Sequence, residues 1–444
     1  MTEAGKNNPG ERDLINELPI QRLGVSTLAQ AQEKLKAEAV SWSGSGYSTT
    51  STAELIFSLA TELDASDVHF ETSREGARLR FRLDGLLYDL IIVPSHIYDL
   101  ILSRIKLISG LKINVVNSPQ DGRFSMKRAD TTIDARVSTI PAEFGEMVVV
   151  RILNPKTIAL KLDDLGLRAD DRELINQELK KPNGMILVTG PTGSGKTTSL
   201  YAFLKEVQNP ELKIITIEDP IEYRLAGIEQ TQVDKAGNYD FNNGLKSILR
   251  QDPDVILVGE IRDQETAETS LHASLTGHLV FSTLHTNNAA GAVPRLIDLG
   301  VNPRIIGPAL DLIVAQRLVR LLCPKCKAER QLSEEEKNKI PAFLSVVPVK
   351  VDKPSLEGIK VFSAAGCSEC EGGYKGRVGI FEFLEVDDVF EELVNKGATE
   401  GEMEKAAKAA GMVGLQADGL LKVLAGETTV EEVERITGPI EWKV

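Results

Sequence analysis

The sequence predicts an α/β protein in which a small mixed α/β domain precedes a larger domain built on a parallel sheet. Three observations carry that prediction. After residue 166, short apolar runs (MILVTG, KIITIEDP, DVILVGE, HLVFSTLHT) alternate with helical stretches, the pattern of strands covered on both faces. The first of these runs leads into GPTGSGKTT at Gly190–Thr198, a glycine-rich loop at the mouth of a helix. The 4 cysteines of the chain fall into two matched pairs, CPKC at Cys323–Cys326 and CSEC at Cys367–Cys370.

Composition bounds the function. With 444 residues the chain has room for two or three domains, each with its own core. No stretch approaches the ~18 apolar residues of a membrane span. The opening MTEAGKNNPGERDLINELP lacks the basic and apolar regions of a secretory signal. Both readings place the chain in the cytosol, where a disulfide framework is not expected. A net charge of −14 repels a phosphate backbone overall and leaves only a local basic channel as a route to nucleic acid.

The elements follow in order. Residues 1–51 are polar, and SWSGSGYSTTST at Ser41–Thr52 reads as a flexible linker. AELIFSLATELDA has apolar residues at helical spacing. ARLRFRLDGLLYDLI alternates around Asp84-Gly85 and predicts a hairpin. IYDLILSRIKLISGLKI predicts a helix, and TTIDARVSTI and EMVVVRIL predict strands flanking a turn. Residues 52–153 form the predicted small domain, 154–166 a connector, and 167–444 the larger domain. Near the end, Thr399 and Glu402 carry a capping signature ahead of MEKAAKAAG.

The loop at Gly190–Thr198 fits G-x-x-x-x-G-K-[ST] with a strand before it and a helix after it. Gly190, Gly193 and Gly195 let the backbone turn so that N–H groups converge on phosphate oxygens. The following helix start adds favourable partial charge. Pro191, Thr192, Ser194 and Thr198 complete the loop, Lys196 reaches toward the β- and γ-phosphates, and Thr197 is the candidate Mg²⁺ ligand. ATP and Mg²⁺ are the cofactors this pattern calls for.

Acids and histidines cluster at other strand ends. DPDVILVGEIRD delivers Glu260 and Asp263 beyond a buried strand, where ligands bind in open parallel sheets. Glu260 is the candidate for orienting an attacking water. IEDPIEY presents Glu218, Asp219 and Glu222; not all three can be catalytic, and each has a structural alternative as a cap. His272, His278 and His285 fall close together, and His285 is either a γ-phosphate contact or a structural hydrogen-bonder. Arg136 and Arg151, on strands of the small domain, could supply charge to a transferring phosphoryl group, from the same chain or a neighbour, or stand on an exposed face.

Each C-x₂-C pair is tight enough for two thiolates to bind one tetrahedral ion, and four sulfurs close a structural Zn²⁺ site. Free thiols, a redox pair and an iron–sulfur cluster are the alternatives. The fold must bring the pairs together across the spacer, in a subdomain at about 320–375.

Taken in order, SDVHFE, RFRLDG, PQDGRF, DARVSTIPAEFGEMVVVRIL, the phosphate loop, ITIEDPIEY, LRQDPDVILVGEIRD, TGHLVFSTLHT, AQRLVRLLCPKCK and GYKGRVGIFE resemble the secretion-superfamily ATPases of bacterial type II secretion and type IV pilus extension. The resemblance runs from about residue 53 to the C-terminus. It implies a homo-hexameric motor whose subunits pair a mobile, PAS-like N-terminal domain with a RecA-like P-loop ATPase domain, a four-cysteine zinc subdomain and C-terminal helices. It assigns Glu260 as the Walker B glutamate, Glu218 as the aspartate-box glutamate and His278 and His285 to the histidine box. It also assigns Arg136 and Arg151 as arginines that stabilise the triphosphate. The implied partner is a polytopic inner-membrane platform protein, with a further membrane partner on the cytoplasmic side. The implied location is the cytoplasm, peripheral to the inner membrane, with no direct nucleic acid. Relatives often carry a sizeable additional N-terminal docking domain, whereas only about fifty mostly polar residues precede the core motifs here; either this lineage dispenses with that domain or the sequence has been trimmed. Retraction motors generally lack the four cysteines, so the pairs favour assembly over disassembly. The alternative function is a nucleic-acid translocase or helicase on the same core. A non-hydrolysing scaffold is disfavoured by the intact Lys196, Thr197 and Glu260.

Overall fold

The computed structural model of the chain describes residues 16–43, 47–128, 131–234, 237–353 and 359–440. They divide into two compact units, residues 1–156 with 366–372, and residues 157–365 with 373–444. The first break lies inside the predicted connector.

The first unit is a sheet faced by helices. Its strands are β1 (Glu17–Pro19), β2 (Asp67–Ser73), β3 (Gly76–Leu83), β4 (Leu86–Val93), β5 (Gln120–Arg128), β6 (Thr131–Ala142) and β7 (Gly145–Leu153), in spatial order β1-β5-β6-β7-β2-β3-β4. Alternation sets the faces: in β3, Ala77, Leu79, Phe81 and Leu83 point into the core, and Arg78 stands in solvent. Asp84 (φ 47°) and Gly85 (φ 88°) make the two-residue turn to β4 that the strand twist favours. Helices α1 (Leu28–Ala39), α2 (Thr49–Glu62) and α3 (Ser95–Ile108) complete the unit. The spacing of Ile97, Ile101, Ile105 and Ile108 puts one apolar stripe of α3 in the core.

Residues 1–51 differ from the flexible segment expected. Within the described part, β1 adds to β5 in parallel, Leu18 and Leu35 are fully buried, and Thr27 caps α1. A polar segment with a few well-spaced leucines can still order once a sheet edge accepts it. Of the predicted linker, residues 44–46 lie outside the described residues, while 40–43 form a short helical turn and α2 begins at Thr49.

The second unit is built on β8 (Gly184–Thr189), β9 (Ile214–Glu218), β10 (Glu229–Gln232), β11 (Val255–Val258), β12 (Leu279–Leu284), β13 (Leu310–Leu322) and β16 (Tyr374–Glu385), ordered β10-β9-β11-β12-β8-β13-β16. The first six run parallel, and β16 joins antiparallel to β13. Every position of β8, β9, β11 and β12 is buried, as strands covered on both faces require. Intervening helices include α4 (Ala169–Glu178), α5 (Lys196–Val207), α6 (Phe241–Ile248), α7 (Gln264–Leu275), α8 (Ala292–Asp298) and α9 (Pro303–Ala309). A second, two-stranded ladder pairs β14 (Lys327–Arg330) with β15 (Val361–Ala364), and α10 (Glu334–Val346) lies between them in the chain. The C-terminal helices are α11 (Asp388–Asn395), α12 (Glu400–Ala409), α13 (Leu415–Leu424) and α14 (Val430–Thr437). The capping box of Thr399 and Glu402 is formed at the start of α12. Among the described residues no helix is long and apolar enough to cross a membrane.

Candidate functional site

The phosphate loop joins β8 to α5. Gly190 adopts φ 152°, and a Cβ there would lie 2.6 Å from the Gln316 carbonyl oxygen and 3.0 Å from Arg317 Nη1. Gly195 (φ 92°) would collide at 2.7 Å with Gln316 Nε2. Only glycine lets the backbone pass here. Lys196 Nζ donates to the carbonyls of Gly190 (2.7 Å) and Pro191 (3.2 Å). Burial pushes its pKa down to about 8; the Glu260 charge opposes this and the Arg317 charge adds to it. Ser194 Oγ is buried without a hydrogen-bond partner among the described residues. An ammonium held only by carbonyls and an orphaned hydroxyl fit a phosphate chain. Thr197 is exposed in the first turn of α5, where its hydroxyl could hold Mg²⁺.

Beyond β11, Glu260 faces the same end of the sheet. Its carboxylate pairs with Arg262 and lies 3.6 Å from His285 Nε2, at the exit of β12. Burial lowers the His285 pKa, Lys196 adds to the lowering, and Glu260 counters both. A neutral imidazole beside a carboxylate can pass a proton or accept one. The structure therefore brings Lys196, Glu260 and His285 together from three parallel strands. Asp263 serves the fold instead. It caps α7, accepting from the Thr266 N–H at 2.8 Å.

Glu218, at the end of β9, is buried. It accepts from the Tyr201 hydroxyl (2.5 Å), the Thr216 hydroxyl (2.6 Å) and Gln230 Nε2 (3.1 Å). Three protein donors on one carboxylate tie β9 to α5 and β10, and they compete with any water it would activate. His278 lies apart from this group. It precedes β12, at the end of that strand opposite His285, a separation of about 20 Å at the rise of a strand. Its ring Nδ1 meets the Ala273 carbonyl at 2.9 Å. The structure does not bring it to the phosphate loop of its own chain.

Arg136 and Arg151 face each other across β6 and β7, and Arg123 on β5 stands opposite Arg136. Arg151 Nε lies 3.1 Å from Asp67, which also pairs with Arg82 at 3.4 Å. One row across the first sheet is thus predominantly cationic.

The four cysteine sulfurs lie within 4.8 Å of one another. Cys323 and Cys370 are buried, and Cys367 Sγ is 3.6 Å from Cys370 Sγ. Tetrahedral zinc with Zn–S near 2.3 Å needs sulfurs about 3.8 Å apart. The long spacer is closed by the β14–β15 ladder, whose Lys327–Ala364 pair follows one cysteine pair and precedes the other. Tight turns hold each pair, with the Lys327 N–H on the Cys323 carbonyl at 2.9 Å.

Arg317 escaped the sequence reading. It lies just beyond the β13 residue paired with the last residue of β8, within the AQRLVRLL segment.

A phosphate loop between strand and helix, with a carboxylate and a histidine at the carboxyl ends of neighbouring parallel strands, defines a RecA-like P-loop nucleotide-binding protein. The family is more specific. Residues 48–435 match the model of the type II/IV secretion system protein family, and the chain belongs to it. It is 46% identical over 375 residues to the type II secretion system protein E of Pseudomonas aeruginosa, covering 84% of this chain and 72% of that protein. It is 42% identical to the type IV pilus assembly ATPase PilB of the same organism, over 84% of this chain and 64% of that one. Among solved structures, the pilus retraction motor PilT with bound ADP aligns with a TM-score of 0.56 at 26% identity, covering 86% of this chain and 95% of that one. Family membership and the intact phosphate loop together make the chain an ATP-hydrolysing enzyme.

Proposed function

We propose that this ATPase is the motor of a type II secretion or type IV pilus assembly machine, working as a homo-hexamer on an inner-membrane platform protein. The observation that carries the reading is the meeting of Lys196, Glu260 and His285 at one end of the parallel sheet. The loop N–H groups and Lys196 hold the phosphates, and Thr197 holds Mg²⁺, which supplies charge neutralisation when bound. Glu260, with fewer protein donors than Glu218, orients the attacking water, and His285 beside it responds to the γ-phosphate. Arg136 and Arg151 add positive charge from the first unit of the same or a neighbouring chain. Their adjacency across β6 and β7 supports a shared role. The likeness to PilB and to the type II protein supports filament assembly, of pilins or pseudopilins, as the work done. The four cysteines hold a structural zinc ion, their spacing leaving no open position for chemistry. Location at the cytoplasmic face of the inner membrane follows from that partner.

A nucleic-acid motor on the same core is disfavoured by the −14 net charge and by the relatives. Deletion of the gene, complemented by wild type or Glu260→Gln, tests the proposal with pili, secreted enzymes and DNA uptake as readouts. Wild type should restore at least one of them and Glu260→Gln none. Persistence of all three in the deletion strain would refute it, as would turnover stimulated by nucleic acid. Metal analysis should find stoichiometric zinc that Cys323→Ser loses; a metal-free wild type would remove the zinc claim.

A further inference from the structure

Arg317 is half-buried at the carboxyl end of the parallel sheet, and the hydrogen bonds of its guanidinium go to main-chain carbonyls. Nη1 donates to Gln316 O at 2.9 Å and Nη2 to Asn287 O at 2.6 Å. Among the described residues no carboxylate pairs with it. Burial depresses its pKa, and the charge of Glu382 offsets that only in part. A desolvated cation without a counter-ion is costly by itself. A second partly buried cation, Lys196, is close enough for the Arg317 charge to weigh on it. Gly190 is what allows the approach, since a Cβ there would sit 3.0 Å from Nη1.

The setting is also rigid. Gln316, the preceding residue, accepts from the Ser199 hydroxyl of α5 at 2.8 Å. The loop carrying Asn287 is fastened by Thr286 to Thr189 and by the Ala289 N–H to Glu382 at 2.9 Å. A guanidinium has five N–H donors, and two are committed to carbonyls. The remainder stand ready, in a preset position, beside the loop lysine. Two buried positive charges, which Glu260 and Glu382 offset only in part, suit an occupant that brings several negative charges.

We propose that Arg317 is a phosphate-binding residue of the nucleotide site, meeting the terminal phosphates beside Lys196 while it holds the loop that follows His285. The inference rests on reading residues 190–198 as that site. It explains why β13, just past its pairing with the end of β8, carries a charged side chain toward the loop.

The test is equilibrium binding of Mg·ATP and Mg·ADP to the full chain, with the melting temperature of the nucleotide-free protein measured in parallel. Lys196→Ala checks the site itself: if it binds ATP as wild type does, the site reading fails. With that reading intact, Arg317→Gln should weaken ATP by ~10–100-fold, the range of a hydrogen bond to a charged group, and ADP by a smaller factor. Arg317→Lys, which keeps the charge but not the fork, should fall between the two and substitutes as the test protein if Arg317→Gln does not fold. A residue that only clamps Asn287 would loosen the pocket for both nucleotides alike. Equal losses for ATP and ADP, or no loss, would overturn the proposal.

Discussion

The two large sheets of this protein use charge in opposite ways. In the second unit, every residue of β8 and β12 is buried, and charge gathers where the strands stop, at Lys196, Glu260 and His285. In the first unit, charge stands along one face of the strands, from Arg123 through Arg136 and Arg151 to Asp67 and Arg82. Parallel strands linked by helices are covered on both faces, so only their ends are open to a ligand. An antiparallel sheet packed on one side keeps a face free for charged side chains. A catalytic centre needs fixed geometry, which strand ends anchored in a doubly covered core provide. An exposed face suits groups that act on a partner arriving from elsewhere.

The sharpest test of that contrast is turnover. Glu260→Gln should cut ATP hydrolysis by ~10³-fold, the scale of losing a general base, and leave Mg·ATP binding largely intact. A loss below about tenfold would move the chemistry from the end of β11 to that of β9 and revive Glu218 as the base. Steady-state rates beside nucleotide affinity separate these outcomes.

Stability should divide along the same line. Leu187 and Val188 are neighbours in β8, and both are fully buried, on opposite faces. Leu187→Ala should cost about 3 kcal/mol, and Val188→Ala should also be costly, because neither face is free. In β3, Leu79→Ala should cost about as much as Leu187→Ala, but Arg78→Ala within about 0.5 kcal/mol of nothing. Denaturation midpoints for the four variants give the answer. A costly Arg78→Ala would mean that the face of the first sheet is covered.

Next in size is the arginine pair. The double substitution Arg136→Gln, Arg151→Gln should slow turnover by ~10–100-fold, as when charge-assisted contacts to phosphate are lost. The melting temperature should hardly change, because Asp67 keeps Arg82 as a partner. Unchanged turnover would leave the row as solvated surface.

How far the sequence carries these points depends on whether the signal is local. The Asp84-Gly85 turn, the phosphate loop and the Thr399 cap are set by adjacent residues, and each forms as the sequence predicts. The burial of Leu18 was not legible, because it depends on a sheet edge contributed by β5 far along the chain, and that of Leu35 depends on α1 packing against the equally distant β4. Arg317 was hidden for the same reason: its meaning comes from the register of β13 against β8. The pairing of the cysteines was readable as chemistry, while the ladder that closes their spacer was not. His278 is a different lesson. It precedes its strand in the sequence, so its place at the amino end can be read directly.

Two glycines bring the contrast down to single residues. Gly190 in the second unit and Gly85 in the first both have positive φ, at 152° and 88°. A Cβ on Gly190 would strike the Gln316 carbonyl at 2.6 Å, whereas one on Gly85 would meet nothing within 4 Å. Gly85→Ala should therefore cost only the backbone strain of a left-handed residue, about 1 kcal/mol, and leave turnover unchanged. Gly85→Asn should cost less, since asparagine tolerates that region and suits hairpin turns. If Gly85→Ala instead slowed ATP hydrolysis at full stability, the β3–β4 turn would belong to the working surface. The face of the first sheet would then extend to its edge as a functional element.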